Sequence, residues 1–551
     1  MIQLLDRLLD FAMPHLVAAP ILLPMLTAAL MLLLQERHRR IKSALSVISG
    51  LIGLVVALAL LRWVNAPETG TGAGSIGVYL AGNWQAPFGI VLVADRLSAM
   101  MVALTGVVAF AASIYSTSRW DRAGVHFHPL LQLQLMGLNG AFLTGDLFNL
   151  FVFFEVMLAS SYGLLLHGSG AVRVKAGLHY VSINIATSLL FLIGAALIYG
   201  VTGTLNMADL ANRIPLVTGS DLALLQGGMA ILGIAFLVKA GMWPLGFWLP
   251  RTYAAATPPV AAIFAILSKV GIYAVLRVYL LLLGGDEGWT ASSGEEWLLF
   301  GGMATIAFGT IGVLAVRTLS RVAGYCVIIS SGTLLATIGA GEGAVLAGVL
   351  FYLVSSTLAV SAFYLLIELV ERQEGDAGMQ TAGESVFDDE YTVALGRDQE
   401  NEIGIMIPAT IAIVGGGFAF CALLIAGLPP LSGFIAKFAI IDGLLGLDEG
   451  VATPIWCLIA LIIISGMATL IATTRAGIDL IWTPSDKPQP VLRVAEALPV
   501  GILLAVCLGL MIFAGPTMRY MERAGHSLAD RQGYIQSVLG APPAGPRRTQ
   551  P

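Results

Sequence analysis

Residues 230–250 read AILGIAFLVKAGMWPLGFWLP, and residues 426–438 read AGLPPLSGFIAKF. Both carry Gly-x-x-Pro-Leu, starting at Gly241 and at Gly427, 186 positions apart. Each motif lies in an apolar run long enough to cross a bilayer, which takes about 20 residues. Each also has a lysine beside it: Lys239 stands five residues before Pro244, and Lys437 seven residues after Pro430. Proline inside a helix removes a backbone hydrogen bond, and the freed carbonyls survive in a membrane only against protein or water. The runs around Pro244 and around Pro429 and Pro430 therefore read as membrane helices broken near their middles.

The rest of the chain agrees with a membrane setting. Of its 551 residues 57% are hydrophobic and 11% charged, against roughly a quarter charged in soluble proteins. That excludes a soluble enzyme and a disordered scaffold, and a net charge of −5 offers no basic face for nucleic acid. A span-length ruler predicts an all-α integral membrane protein of about fourteen transmembrane helices. They fall near 16–34, 41–63, 90–115, 129–145, 147–167, 177–201, 222–249, 258–283, 297–316, 322–340, 343–370, 403–444, 454–475 and 496–515. Five crossings separate the two motifs, so the copies run in opposite directions, as in the inverted repeats of ion transporters. The expected organisation is an N-terminal block at 1–128 and a first five-helix repeat at 129–283. A second, inverted repeat follows at 297–475, then a last span and polar tail at 476–551.

Basic residues orient the spans. Arg37, Arg39, Arg40 and Lys42 follow the first span, and Arg119, Arg122, Arg173, Lys175, Arg251, Arg317, Arg321, Arg475, Lys487 and Arg493 fall in alternate loops. That pattern puts those loops in the cytoplasm and both termini on the periplasmic or external side. No cleavable signal peptide is expected, because the first apolar run is a full span with its basic cluster after it. Residues 371–402 hold ten acids against two basic residues and read as an acidic cytoplasmic loop. The tail from Pro516 reads as polar and partly disordered. Cys326, Cys421, Cys457 and Cys507 lie singly in apolar runs and read as small buried hydrophobes. No metal site or cofactor is expected. Gly72, Gly74 and Gly77 match a dinucleotide motif, yet lack the strand–turn–helix setting that the chemistry needs.

Four charges stand out against the apolar background. Glu155 sits in LFNLFVFFEVMLASSYGLLL, Lys269 in AAIFAILSKVGIYAVL, and Lys239 and Lys437 beside the breaks. An ionisable group near the bilayer centre costs about 2.5–3.5 kcal/mol or more, so all four must face one another or water. Two readings fit: static ion pairs that fix helix packing, or a proton relay. In the relay, Glu155 pairs with Lys239, and Lys269 and Lys437 carry the proton onward, since a buried lysine switches readily between charged and neutral forms. His167 and His179 flank the cytoplasmic side, Asp146 reads as a helix cap, and Glu368 as a residue snorkelling to the surface.

LTGDLFNLFVFFEVMLASSYGLLLHG, FLVKAGMWPLGFWLP, ILSKVGIYAVLR and AGLPPLSGFIAKF resemble the antiporter-like family. That family comprises proton-pumping membrane subunits of respiratory complex I and the large subunits of Mrp-type cation/proton antiporters. The resemblance covers nearly the whole chain and is greatest to D-type subunits of Mrp (also Pha or Mnh) antiporters. It implies that Glu155, Lys239, Lys269 and Lys437 are the translocating residues of a secondary transporter rather than an enzyme. It also implies other membrane subunits as partners, H⁺ and K⁺ or Na⁺ as transported ions, and the bacterial inner membrane as the site.

Complex I relatives carry histidines where this chain reads RTYAAATPP, VIISSGTLLA and FYLVSSTLAV. Ser330, Ser331, Ser355, Ser356 and Thr357 are the candidates to hold a water chain in their place, or else small residues that pack helices. The alternative function is a pump module of a membrane-bound hydrogenase or NADH dehydrogenase.

Overall fold

A computed structural model describes the chain except for residues 1–14, 36–37, 66–75, 123–125, 169, 284–290, 342–343, 380–408, 447–451, 479–491 and 543–551. The N-terminal block comprises α1 (Ala19–Leu33), α2 (Arg39–Val64), a hairpin of β1 (Gly77–Leu80) and β2 (Val91–Ala94), and α3 (Arg96–Ser116). Next come α4 (Phe127–Leu143), α5 (Leu147–Leu165), α6 (Ala171–Thr202), the short α7 (Met207–Arg213), α8 (Ser220–Ala240), the short α9 (Leu249–Ala255) and α10 (Pro258–Val278). The second half holds α11 (Ala291–Ala315), α12 (Leu319–Gly339), α13 (Ala344–Met379), α14 (Ala409–Ala426), α15 (Ser432–Leu445) and α16 (Thr453–Gly477). It closes with α17 (Val494–Ile512), α18 (Ala514–Ala529) and α19 (Arg531–Leu539).

Among the described residues, 11 helices are long and apolar enough to cross a membrane, and Ala19–Leu33 and Ala412–Ala426 are shorter apolar helices. The protein is a multi-pass membrane protein. Every apolar stretch read from the sequence contains helix, with one boundary corrected. The third stretch begins as strand β2, and Asp95 then caps α3: Ser98 N donates to Asp95 Oδ1 at 2.8 Å and Asp95 N donates to Ser98 Oγ at 2.8 Å. Capping by this reciprocal pair satisfies two otherwise orphaned amides. Strand β1 pairs with β2 in antiparallel register, Gly77 opposite Ala94; Gly72 and Gly74 lie outside the described residues.

Burial sorts the helices into centre and rim. Helix α10 is apolar all round and buried throughout, and α12 and α13 nearly so, whereas α2 and α17 bury little more than a quarter of their spans. A helix hydrophobic on every side belongs in the middle of a bundle. Helix α10 packs against α13, α8, α3 and α12, so Lys269 sits on the most enclosed element of the molecule.

Three further expectations need correction. The acidic segment is not loop from its start: helix α13 continues to Met379, while residues 380–402 lie outside the described residues. Within the tail, Ala514–Ala529 and Arg531–Leu539 fold into α18 and α19, while residues 543–551 lie outside the described residues. Met521, Ala524, Gly525 and Leu528 are the buried positions of α18, spaced three, one and three apart, which is a helical face in an otherwise polar stretch. Cys457 is exposed, while the other three cysteines are buried and all four are free.

Candidate functional site

The two Gly-x-x-Pro-Leu segments fold alike. Helix α8 ends at Ala240, and Gly241 takes φ +80°, with Met242 N donating to Leu237 O at 3.1 Å. Helix α14 ends at Ala426, and Gly427 also takes φ +80°, with Leu428 N donating to Leu423 O at 3.1 Å. This six-to-one bond with a left-handed glycine ends a helix where only glycine fits without strain. Short turns then carry Pro244, and Pro429 with Pro430, into α9 and α15. Thr305 on α11 accepts a hydrogen bond from Trp243 N at 2.9 Å, holding the first turn.

Lys239 lies in the last turn before the first break, 6% exposed, and its Nζ has no hydrogen-bond partner. The ammonium sits 5.1 Å from the Phe154 ring centroid, within cation–π range. Glu155, the next residue on α5, is half-buried and accepts a hydrogen bond from Ser188 Oγ on α6. No ion pair joins Glu155 to Lys239 in this structure, so the expected pair is adjacent but not closed. Successive helical residues differ by about 100° in direction, and Phe154 takes the position facing α8.

Lys269 is 2% exposed, and its Nζ donates to Ser330 Oγ at 2.7 Å. Ser330 and Ser356 hydroxyls are 2.9 Å apart. Beyond them lies a cavity of about 20 Å³ lined by Ser330, Ser356, Cys326, Thr469 and Lys437 among others, enough for one water. Lys437, 9% exposed, donates from Nζ to Ala426 O at 2.8 Å, the last carbonyl of α14 before the second break. Lys269, Ser330, Ser356, a water-sized space and Lys437 thus form one run joining α10 to the second break. Ser355 stands beside it, donating to Ser432 Oγ at 2.9 Å. Thr357 turns back to Leu353 O at 2.6 Å, and the Ser331 hydroxyl is buried without a partner. Of the five hydroxyls read from sequence, Ser330 and Ser356 are in the run.

The first break is tied to Lys269's helix by close packing. A Cβ at Gly271 would lie 2.8 Å from the Lys239 carbonyl carbon, so α10 crosses α8 backbone to backbone beside Lys239.

Asp146 caps α5, accepting from Phe148 N at 2.8 Å and Asn149 N at 2.9 Å. Glu368 does not simply snorkel: it accepts from Tyr115 OH and Trp120 Nε1, each at 2.8 Å, and Arg119 lies 3.6 Å away. His167 Nε2 is 2.9 Å from Trp120 O, while His179 is exposed and meets Lys175 O at 3.0 Å.

Sequence reasoning missed one charged pair. Arg277 Nη1 and Asp95 Oδ2 are 2.6 Å apart, with both side chains about 5% exposed. The signal is present in the sequence, since Arg277 stands in the same apolar run as Lys269 and Asp95 in the third run.

The family described as NADH:quinone oxidoreductase/Mrp antiporter, TM matches residues 144–467. The D subunit of a probable K(+)/H(+) antiporter of Rhizobium meliloti is 54% identical over 543 residues, covering 96% of this chain and 98% of its own. The D subunit of a Na(+)/H(+) antiporter of Alkalihalophilus pseudofirmus is 33% identical, over 96% of this chain and 100% of its own. Among solved structures, a chain of the Mrp complex from Dietzia sp. matches with TM-score 0.79 at 25% identity, covering 97% of this chain and 100% of that one. A chain of respiratory complex I from Thermus thermophilus matches with TM-score 0.72 at 22% identity, over 96% of this chain and 100% of that one, a likeness of fold alone. The chain belongs to the NADH:quinone oxidoreductase/Mrp antiporter transmembrane family.

Proposed function

We propose that this chain is the proton-translocating D-type component of a multisubunit K⁺ or Na⁺/H⁺ antiporter of the bacterial inner membrane, part of a secondary transporter and not an enzyme. The run from Lys269 through Ser330 and Ser356 to Lys437 carries the reading. Hydroxyls both donate and accept, so they pass a proton between two lysines that could not touch directly. Glu155 and Lys239 form the switchable end of the relay: the carboxylate is held by Ser188 in one state and approaches the partnerless ammonium in the other. The two repeats, 129–283 and 297–475, each supply one broken helix and stand in inverted orientation, with both termini outside. The 54% identity to a protein named for K⁺/H⁺ exchange favours K⁺ as the coupled cation. A redox-driven pump module is the weaker reading, because the relatives that match nearly end to end at 54%, 33% and 31% identity carry antiporter names, whereas the complex I chain shares the fold at 22% identity.

Other membrane subunits complete the assembly. Trp243 and Phe247 are 45% and 59% exposed, and Pro244, Pro429 and Pro430 are exposed beside the breaks. Non-helical backbone at membrane depth must be covered by protein or water, which supports partners over both breaks.

Everted vesicles from antiporter-deficient cells carrying the whole operon test the proposal. Adding K⁺ or Na⁺ should collapse an acid-inside pH gradient; no response to Na⁺, K⁺ or Li⁺ overturns it. In the same vesicles Ser330→Ala should slow exchange roughly tenfold or more, the low end or below for loss of a proton-transferring group. An unchanged rate removes Ser330 from the path.

A further inference from the structure

We propose that Asp95 and Arg277 form a fixed ion pair in which each charge cancels the other's field at Lys269, so that exchange keeps its pH range only while the two are balanced. Both are positioning residues, and the inference rests on Lys269 being a relay lysine. Arg277 follows Lys269 by eight residues on α10, about 12 Å along the axis at 1.5 Å per residue. Asp95 Oδ2 meets Arg277 at 2.6 Å, while its Oδ1 accepts from Ser98 N at 2.8 Å and from Ser98 Oγ at 2.9 Å. The carboxylate is therefore immobilised on the first turn of α3. Arg277 is enclosed by rings on two sides, with centroids 5.5 Å away for Tyr273 and 5.3 Å for Tyr534. Its Nη2 donates to Tyr273 OH at 3.4 Å, and Tyr273 OH donates to Phe142 O at 2.6 Å.

The pair is assembled by the flanks of the chain. Arg277 lies inside the family-matched region 144–467, whereas Asp95 precedes it and Tyr534 follows it. The tail that brings Tyr534 is anchored by Arg531, which donates to Ala211 O, and by Tyr520 OH, which donates to Arg96 O at 2.7 Å. Tyr534 is 4% exposed, so water is shut out and the charges act through a medium far less polarisable than water. The titratable groups meeting α10 from its neighbours are Tyr180 on α6 and Tyr253 on α9, whose rings lie 6.0 and 5.4 Å from Phe264, Tyr534 on α19 over Arg277, and Asp95 ahead of α3, while Lys239 on α8 lies at the Gly271 crossing. Glu295 meets Tyr279 just beyond the end of α10. Asp95 is the acid in contact with α10 itself.

Removing one charge leaves the other acting on Lys269. A unit charge about 12 Å away at an effective dielectric near 20 changes a protonation equilibrium about tenfold, one pH unit. Asp95→Asn leaves a positive charge, which favours proton loss from Lys269, so the pH profile of exchange should move down by about one unit. Arg277→Gln leaves a negative charge and should move it up by about one unit. The double variant Asp95→Asn/Arg277→Gln should return near the wild-type profile. Tyr534→Lys and Tyr534→Asp, made on the tail helix, impose the same two opposite charge changes should the single variants fail to assemble. Profiles are measured in everted vesicles carrying the whole operon. Shifts of opposite sign support the pair's role; equal shifts, or slower exchange with no shift, overturn it. Full exchange by an assembled Lys269→Met complex instead overturns the relay reading beneath it.

Discussion

Replacing Lys269 by Met should stop cation/proton exchange while the protein gains stability. Methionine nearly matches the lysine stem in volume and fills irregular core space without strain. At 2% exposure the lysine burdens insertion by about 2.5–3.5 kcal/mol, less what its bond to Ser330 returns. A residue kept only for packing would gain from the change and lose nothing. A relay lysine gains stability and loses transport, the trade-off seen where function requires a locally unfavourable group. Lys239→Met should behave the same way more sharply, because its Nζ has no hydrogen bond to forfeit. Exchange in vesicles should fall at least about a hundredfold for each variant, the scale of losing a positioned acid–base group. Thermal unfolding of the detergent-purified complex should shift upward or stay level. Wild-type exchange by either assembled variant rules out its place in the relay.

Legibility from sequence follows physical cause. The breaks are readable because a proline and a glycine inside an apolar run have few structural solutions, and the two glycines adopt the same φ. The lysines are readable because a membrane makes each charge expensive. Asp95 and Arg277 escape because apolar averages over 90–115 and 258–283 conceal charges near the ends of each run, Asp95 beside Arg96 in the one and Arg277 after Lys269 in the other. The tail escapes because α18 is polar on average; only the spacing of Met521, Ala524, Gly525 and Leu528 reveals its buried face. The gap between Glu155 and Lys239 cannot be read at all, since it depends on which of two adjacent α5 residues faces α8. Likewise, five hydroxyls are equal candidates in sequence, and only the crossing of α10, α12 and α13 selects Ser330 and Ser356.

Gly271→Val should prevent assembly without replacing any charged residue. A Cβ there would lie 2.8 Å from the Lys239 carbonyl carbon and 2.9 Å from Ala240 Cα, with the Ala240 amide nitrogen nearer still. All three are backbone atoms, so no side chain can rotate away, and α10 must retreat from α8 or the first break must reopen. Overpacking a tight core costs about 1–3 kcal/mol and occasionally more, and here the strain falls on a crossing that positions both Lys239 and Lys269. Gly501→Val on α17 is the matched control, because nothing lies within 4 Å of a Cβ at that glycine; it should assemble and exchange normally. Gly271→Ala should fall between, with the complex present at reduced level and exchange reduced beyond the loss of protein. That excess matters, because a contact needed only for folding would lower amount and activity in equal proportion. Wild-type amounts and rates for Gly271→Val would mean that the α8–α10 crossing does not hold the lysines in register.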